Sequence, residues 1–253
     1  MILIGLGTGR SGSASFANLI SAQKNAFCFH EMNPAVMRFT GTPRPALNTL
    51  DEFQAIIDGG DPAMITADLS RWVVATAYDD IKTRTGLKFI GDIGMYYLSY
   101  VEEMAAHTDQ VRFICLKRDR AKTVESWMKK SSLGFWLSKR LGMRLTAWLT
   151  RQPFVESRNF WMDHDGTKWA PDPVWDKLFP HFKASSKRDA IEQYYDFYYK
   201  EAERLEAALG HCFRIQPTAA LSDLDEQKAL LDFCGFPEAD QVLTPSHLHK
   251  SAP

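Results

Sequence analysis

The sequence has no surplus of one charge. Thirty Lys+Arg stand against 31 Asp+Glu, a formal net charge of −1. No global field draws the chain to nucleic acid, and any anionic ligand must be held by local charge. Cysteine is scarce. Cys28, Cys115, Cys212 and Cys234 each sit in an apolar run, with no CxxC spacing. That argues against zinc or a disulfide framework and predicts buried, reduced thiols. No apolar stretch approaches the roughly 18 residues of a membrane-spanning helix. The opening MILIGLG meets glycine at once, without a basic segment followed by a long apolar one. No signal peptide is therefore expected, and cytoplasmic is the default localisation. Compositional bias is lacking too: 45% hydrophobic and 24% charged residues exclude a disordered or collagen-like chain.

What is present is an alternation. Short apolar runs at 1–6, 26–29, 88–93 (KFIGDI), 111–116 (VRFICL) and 212–215 read as strands. Helical patterns cover 13–22, 50–57, 69–85, 95–106, 121–130, 187–209 and 223–234. Residues 38–48, with Gly41, Pro43 and Pro45, read as loop. Strands alternating with helices predict a three-layer α/β/α sandwich around a mostly parallel sheet of about five strands. The 253 residues are read as one domain. Residues 131–180 break the alternation and carry Trp136, Trp148, Trp161, Trp169 and Trp175. They read as an insertion or lid, because about 50 residues make too small a core of their own.

Two motifs carry chemistry. GLGTGRSGSAS, Gly5 to Ser15, follows a strand and opens a helix. Glycines allow a tight turn that presents backbone N–H groups to an anion, and the helix N-terminus adds positive potential. Gly7 and Gly12 have the spacing of a nucleotide-triphosphate loop. Ser13, however, stands where such a loop needs Lys, and the loop's cation is Arg10. The dinucleotide spacing GxGxxG is met, but only Glu31 comes close to the acidic ribose position. In the second motif, VRFICL runs into Lys117-Arg118-Asp119-Arg120, and Ser126 lies on the following helix. An Arg at a strand's carboxyl end and a Ser in the next helix can converge on one phosphate.

Together the motifs resemble the sulfotransferase family, in its bacterial form. GTGRSGS is similar to that family's 5′-phosphosulfate loop, and Arg118 with Ser126 resembles its 3′-phosphate motif. FPHF, the later YYDFYY, and the FRI strand leading to DFCGFP resemble the downstream part of bacterial members. The resemblance implies a P-loop-like α/β fold. It also implies the donor 3′-phosphoadenosine-5′-phosphosulfate, the product 3′,5′-adenosine bisphosphate, no metal, and transfer to a hydroxyl or amine. Gly9, Arg10, Ser11, Gly12, Ser13, Ala14 and Ser15 would hold the 5′-phosphosulfate, and Arg118 and Ser126 the 3′-phosphate. Arg10 would stabilise charge on the transferring group. Many cytosolic members place Trp where Ser15 stands, so the adenine contact is not assigned.

The acceptor must lose a proton to a nearby base. Glu31, in FHEMNP, resembles the base of one family branch and is the first choice. Asp92, in FIGDIG, lies near the position of a catalytic His in another branch, and doubles as a helix N-cap. His30 is the third candidate, aimed opposite to Glu31 if the strand continues. Residues 133–151 are basic and amphipathic, with Leu137, Leu141 and Leu145 recurring at helical spacing. They suit a helix packed on the domain with its charges solvated, a membrane surface, or a lid over a lipid-like acceptor. The expected acceptor is a small molecule, glycan or lipid-like compound, with no nucleic acid partner. The competing readings are a small-molecule or nucleotide kinase with an atypical loop, and a nucleotide-binding module without turnover.

Overall fold

A computed structural model describes residues 1–34, 42–131, 141, 142, 144, 145, 147–149, 151 and 184–244. The chain runs β1 (Ile2–Leu6), α1 (Ser13–Ser21), β2 (Ala26–His30), α2 (Arg44–Ile57), α3 (Trp72–Ile81) and β3 (Phe89–Ile93). A 3-10 turn (Met95–Tyr100) then leads into α4 (Val101–His107), β4 (Val111–Lys117) and α5 (Arg120–Lys130). After them come α6 (Lys187–Leu209), β5 (Phe213–Pro217), a 3-10 turn (Thr218–Ser222) and α7 (Leu224–Phe233).

The strands form one parallel sheet in the order β2-β3-β1-β4-β5. β1 is central and buried at every residue, as a parallel strand covered on both faces must be. Its side chains alternate. Ile2, Ile4 and Leu6 join a core with α2, α4 and α6, while Leu3 joins a second core with Phe16 and Ile20 of α1 and Leu230 and Leu231 of α7. Helices thus cover both faces. The chain crosses from β3 on one side of β1 to β4 on the other. This places the carboxyl end of β1 at a topological switch point, where open parallel sheets bind ligands.

Helix starts follow local chemistry. Ser186, Asp119 and Asp223 accept first-turn N–H groups of α6, α5 and α7, each worth about 1 kcal/mol. The expected loop at 38–48 is helical from Arg44. Pro45 sits in the first turn, where proline's missing N–H costs nothing; residues 38–41 lie outside the described residues. The helix expected over 69–85 is shorter, because Asp68 takes the Ser70 N–H and hydroxyl and turns the chain. All four cysteines are buried free thiols. Among the described residues no helix is long and apolar enough to cross a membrane. Most of the expected insertion at 131–180, with Trp136, Trp161, Trp169 and Trp175, lies outside the described residues.

Candidate functional site

The loop between β1 and α1 is built on left-handed backbone. Gly9, Arg10 and Gly12 have φ of 72°, 60° and 91°. A Cβ on Gly9 would press on the Trp127 ring, and one on Gly12 on Thr218. Both positions therefore need glycine for space as well as for conformation. Arg10 has no such excuse; holding it there costs about 1–2 kcal/mol, the kind of strain that collects at functional sites.

The loop's carbonyls are tied down one after another. Trp127 Nε1 (3.1 Å) and Tyr194 Oη (3.2 Å) both donate to the Thr8 carbonyl. Thr8 Oγ1 donates to the Gly9 carbonyl at 3.1 Å. Arg118 Nη1 donates to the Arg10 carbonyl at 2.9 Å, and Thr218 Oγ1 to the Ser11 carbonyl at 2.7 Å. The Phe16 N–H takes the Gly12 carbonyl at 3.1 Å. Among the described residues the amides of Gly9, Arg10, Ser11 and Gly12 meet no acceptor. The Ser11 hydroxyl, wholly buried inside the loop, also lacks a partner there. Consecutive open donors at a helix N-terminus make an anion cradle.

The second motif reaches the same place. Arg10 Nε donates to Ser126 Oγ at 2.8 Å, across 116 residues of sequence. With the Arg118 contact to the Arg10 carbonyl, Arg10, Arg118 and Ser126 form one group. Burial, and then the nearby Arg118 charge, lowers the Arg10 pKa. Neither guanidinium forms an ion pair among the described residues; Glu31 acts on Arg10 less strongly than Arg118 does. Ser13, Ala14 and Ser15 form the first turn of α1.

The other end of the site lies beyond β2 and β3. Glu31 follows β2 with a left-handed φ of 53°. Its carboxylate pairs with Arg71 Nη2 at 2.7 Å, and Arg71 Nη1 also donates to the Glu31 carbonyl. The net Arg71 pKa is raised: burial acts against its charge, but Glu31 outweighs that. His30 Nε2 lies 2.9 Å from Ser13 Oγ, tying β2 to the loop. His30 therefore turns toward α1, while Glu31, past the end of β2 and left-handed, turns toward the start of α3. Burial lowers the His30 pKa, against the pull of Glu31 and Asp92. Asp92 is completely buried. It accepts from Tyr96 Oη (2.9 Å), Tyr97 Oη (2.8 Å) and the Met32 N–H (3.0 Å). Burial raises its pKa; these bonds hold it back.

Sequence reasoning missed the role of α6. Tyr194, Tyr195, Tyr198 and Tyr199 all send hydroxyls to backbone atoms around the loop. Tyr195 and Tyr199 donate to the carbonyls of Arg118 and Leu116, each at 2.7 Å. Tyr198 accepts the Gly7 N–H at 3.0 Å and donates to Met95 O at 3.1 Å. Burial raises all four phenol pKa values, so the hydroxyls remain donors. The paired spacing in YYDFYY was the available signal: it puts two adjacent columns of phenols on one side of a helix.

Of the basic amphipathic segment, the described residues between 141 and 149 are helical. Ala147 is buried, whereas Leu141, Leu145, Trp148 and Leu149 are 57–74% exposed. No protein-family model matches the chain, and no curated protein matches it either.

Proposed function

We propose that this protein is a sulfotransferase using 3′-phosphoadenosine-5′-phosphosulfate. The observation that supports it most is the convergence of Arg10, Arg118 and Ser126 on the open-amide loop, since a donor with phosphates at both ends of its ribose needs two adjoining anion sites. The residues fit such a donor: the loop offers amides and a Ser11 hydroxyl that meet no partner among the described residues, and the Arg group offers charge with no carboxylate paired to it among them. When bound, the donor supplies the sulfuryl group, and 3′,5′-adenosine bisphosphate remains after transfer to a hydroxyl or amine.

In this reading Gly9 to Ser15 cradle the 5′ end, Arg118 and Ser126 hold the 3′-phosphate, and Arg10 neutralises developing charge. Glu31 is the base. Its carboxylate is partly open, with 26% side-chain exposure, and Arg71 keeps it oriented. Asp92, sealed by three donors, supports the geometry from below. His30 orients Ser13. A kinase would need a cation where Ser13 stands to reach terminal phosphates.

Calorimetric titration with 3′,5′-adenosine bisphosphate, with and without Mg²⁺, is the test. Metal-independent binding should weaken about 10- to 100-fold in Arg118→Ala, from the roughly 1.5–3 kcal/mol of a charge-assisted bond. Preference for Mg²⁺-ATP would favour the kinase reading. Binding that survives unchanged in Arg118→Ala would remove the 3′-phosphate assignment.

The exposed Leu141, Leu145, Trp148 and Leu149, flanked by Arg144 and Arg151, favour an amphipathic acceptor or an anionic lipid surface over a purely polar partner. Wild type should then co-sediment with phosphatidylserine-containing vesicles more than Trp148→Glu does. Equal sedimentation of the two would reject that surface.

A further inference from the structure

We propose that Tyr194, Trp127 and Thr218 are positioning residues of the anion site, which act by holding loop carbonyls so that the amides of Gly9 and Gly12 face the ligand. The inference rests on reading the loop as an anion cradle.

The argument is one of peptide planes. In a trans peptide the carbonyl of one residue and the N–H of the next point in opposite directions. The Thr8 carbonyl and the Gly9 N–H share a plane, and so do the Ser11 carbonyl and the Gly12 N–H. Fixing the oxygen fixes the donor. The Thr8 carbonyl receives two donors, Trp127 Nε1 and Tyr194 Oη, at 3.1 and 3.2 Å. The Ser11 carbonyl receives Thr218 Oγ1 at 2.7 Å. A donor on the carbonyl also polarises the peptide and strengthens its N–H. Without these bonds, Gly9 and Gly12 could rotate freely, since glycine sets few limits on φ and ψ. The glycines that the loop needs for space make it floppy, and side chains from α5, α6 and the turn after β5 remove that freedom. Tyr194 lies 186 residues from the atom it holds, so the far half of the chain sets the aim of the first loop.

Tyr195 supplies the control. It sits on the same helix, is buried, and donates at 2.7 Å to the Arg118 carbonyl. That oxygen follows β4, outside the loop. Tyr195→Phe removes the same hydroxyl without touching a loop peptide, whereas the Tyr199 hydroxyl also bonds Thr8. A merely structural role for Tyr194 would make the two substitutions alike.

The test compares wild type, Tyr194→Phe, Thr218→Val and Tyr195→Phe, each first shown to unfold cooperatively. Amide resonances of Gly9 and Gly12 are followed in titrations with inorganic sulfate and, separately, with 3′,5′-adenosine bisphosphate. The expected result is binding weakened about 3- to 10-fold for both ligands in Tyr194→Phe and Thr218→Val, and less than about 2-fold for sulfate in Tyr195→Phe. The Gly9 resonance should shift in unliganded Tyr194→Phe, and the Gly12 resonance in Thr218→Val. Equal effects on sulfate binding in Tyr194→Phe and Tyr195→Phe, or no effect in either, would overturn the proposal. Sulfate binding with the expected pattern but no adenosine bisphosphate binding would support the positioning role and reject the sulfotransferase reading. A wild type that binds neither anion would overturn both.

Discussion

At the loop end of the site, backbone carbonyls are occupied, while among the described residues four N–H groups and a hydroxyl meet no partner and two guanidiniums form no ion pair. At the β2–β3 end the balance is reversed. Asp92 there is surrounded by three donors, and Glu31 is matched by Arg71. One end keeps donors that no described residue accepts from. The other satisfies its acceptors within the protein and leaves one carboxylate partly open. Charge removed from the first end should therefore cost affinity, and charge removed from the second should cost stability.

The largest effect that can break this contrast is Asp92→Ala. It would strand two tyrosine hydroxyls and the Met32 N–H in the core. At about 1–3 kcal/mol for each unsatisfied buried donor, partly relieved by rearrangement, a loss of about 3–5 kcal/mol is expected in denaturant unfolding. Asp92→Asn keeps an accepting oxygen and should lose less than half of that. A loss under about 1 kcal/mol in Asp92→Ala would mean that water reaches the cluster, and the contrast would fail. Arg118→Ala, by comparison, should leave unfolding nearly unchanged while weakening nucleotide binding.

The next effect is smaller and separates side chain from backbone at Glu31. Glu31→Ala loses the Arg71 pair and keeps an unfavourable left-handed residue. Glu31→Gly loses the same pair but relieves the backbone. The glycine variant should be the more stable of the two by about 1 kcal/mol, read from the midpoints of matched denaturant curves. The reverse order would show that the φ of 53° is not a strained state in solution.

Some of this was legible in the sequence. MILIGL has no polar side chain and VRFICL is interrupted only by Arg112, close to the pattern of strands buried on both faces, so the parallel sheet could be read directly. Gly-rich sequence between a strand and a helix marked the loop, and Arg118 with Ser126 marked its partner. Their meeting with Arg10 could be expected only through a resemblance, because no periodicity links residues more than 100 positions apart. The tyrosines were hidden for another reason. Their targets are backbone oxygens, which every residue has, so nothing at Thr8 or Leu116 announces a partner. Arg71 was equally silent: it precedes a helix and pairs with Glu31, 40 residues earlier. Pro43 and Pro45 misled in the opposite way, since proline breaks a helix interior but suits a first turn.

The smallest effect concerns the contact that joins the two ends, His30 to Ser13. Burial lowers the His30 pKa in the folded chain, while the unfolded value is about 6.5. Below that pH the unfolded state binds the extra proton and the folded state resists it. Stability contributed by neutral His30 is therefore present above about pH 6.5 and is lost as the pH falls, by at most about 1.4 kcal/mol per pH unit. Asp92 acts with the opposite sign. Its folded pKa is raised, so its contribution is present at low pH and is lost as pH rises through the folded value. Glu31, Arg71 and Lys130, the other charges near His30, are common to both proteins in the comparison that follows. Unfolding free energies of wild type and His30→Gln, measured from pH 7.5 to 5, isolate the His30 part as the difference in slope. The wild type should lose more stability than the variant on acidification. Parallel curves would mean that His30 titrates as freely folded as unfolded, and that the bridge between donor-rich loop and carboxylate end is open to water.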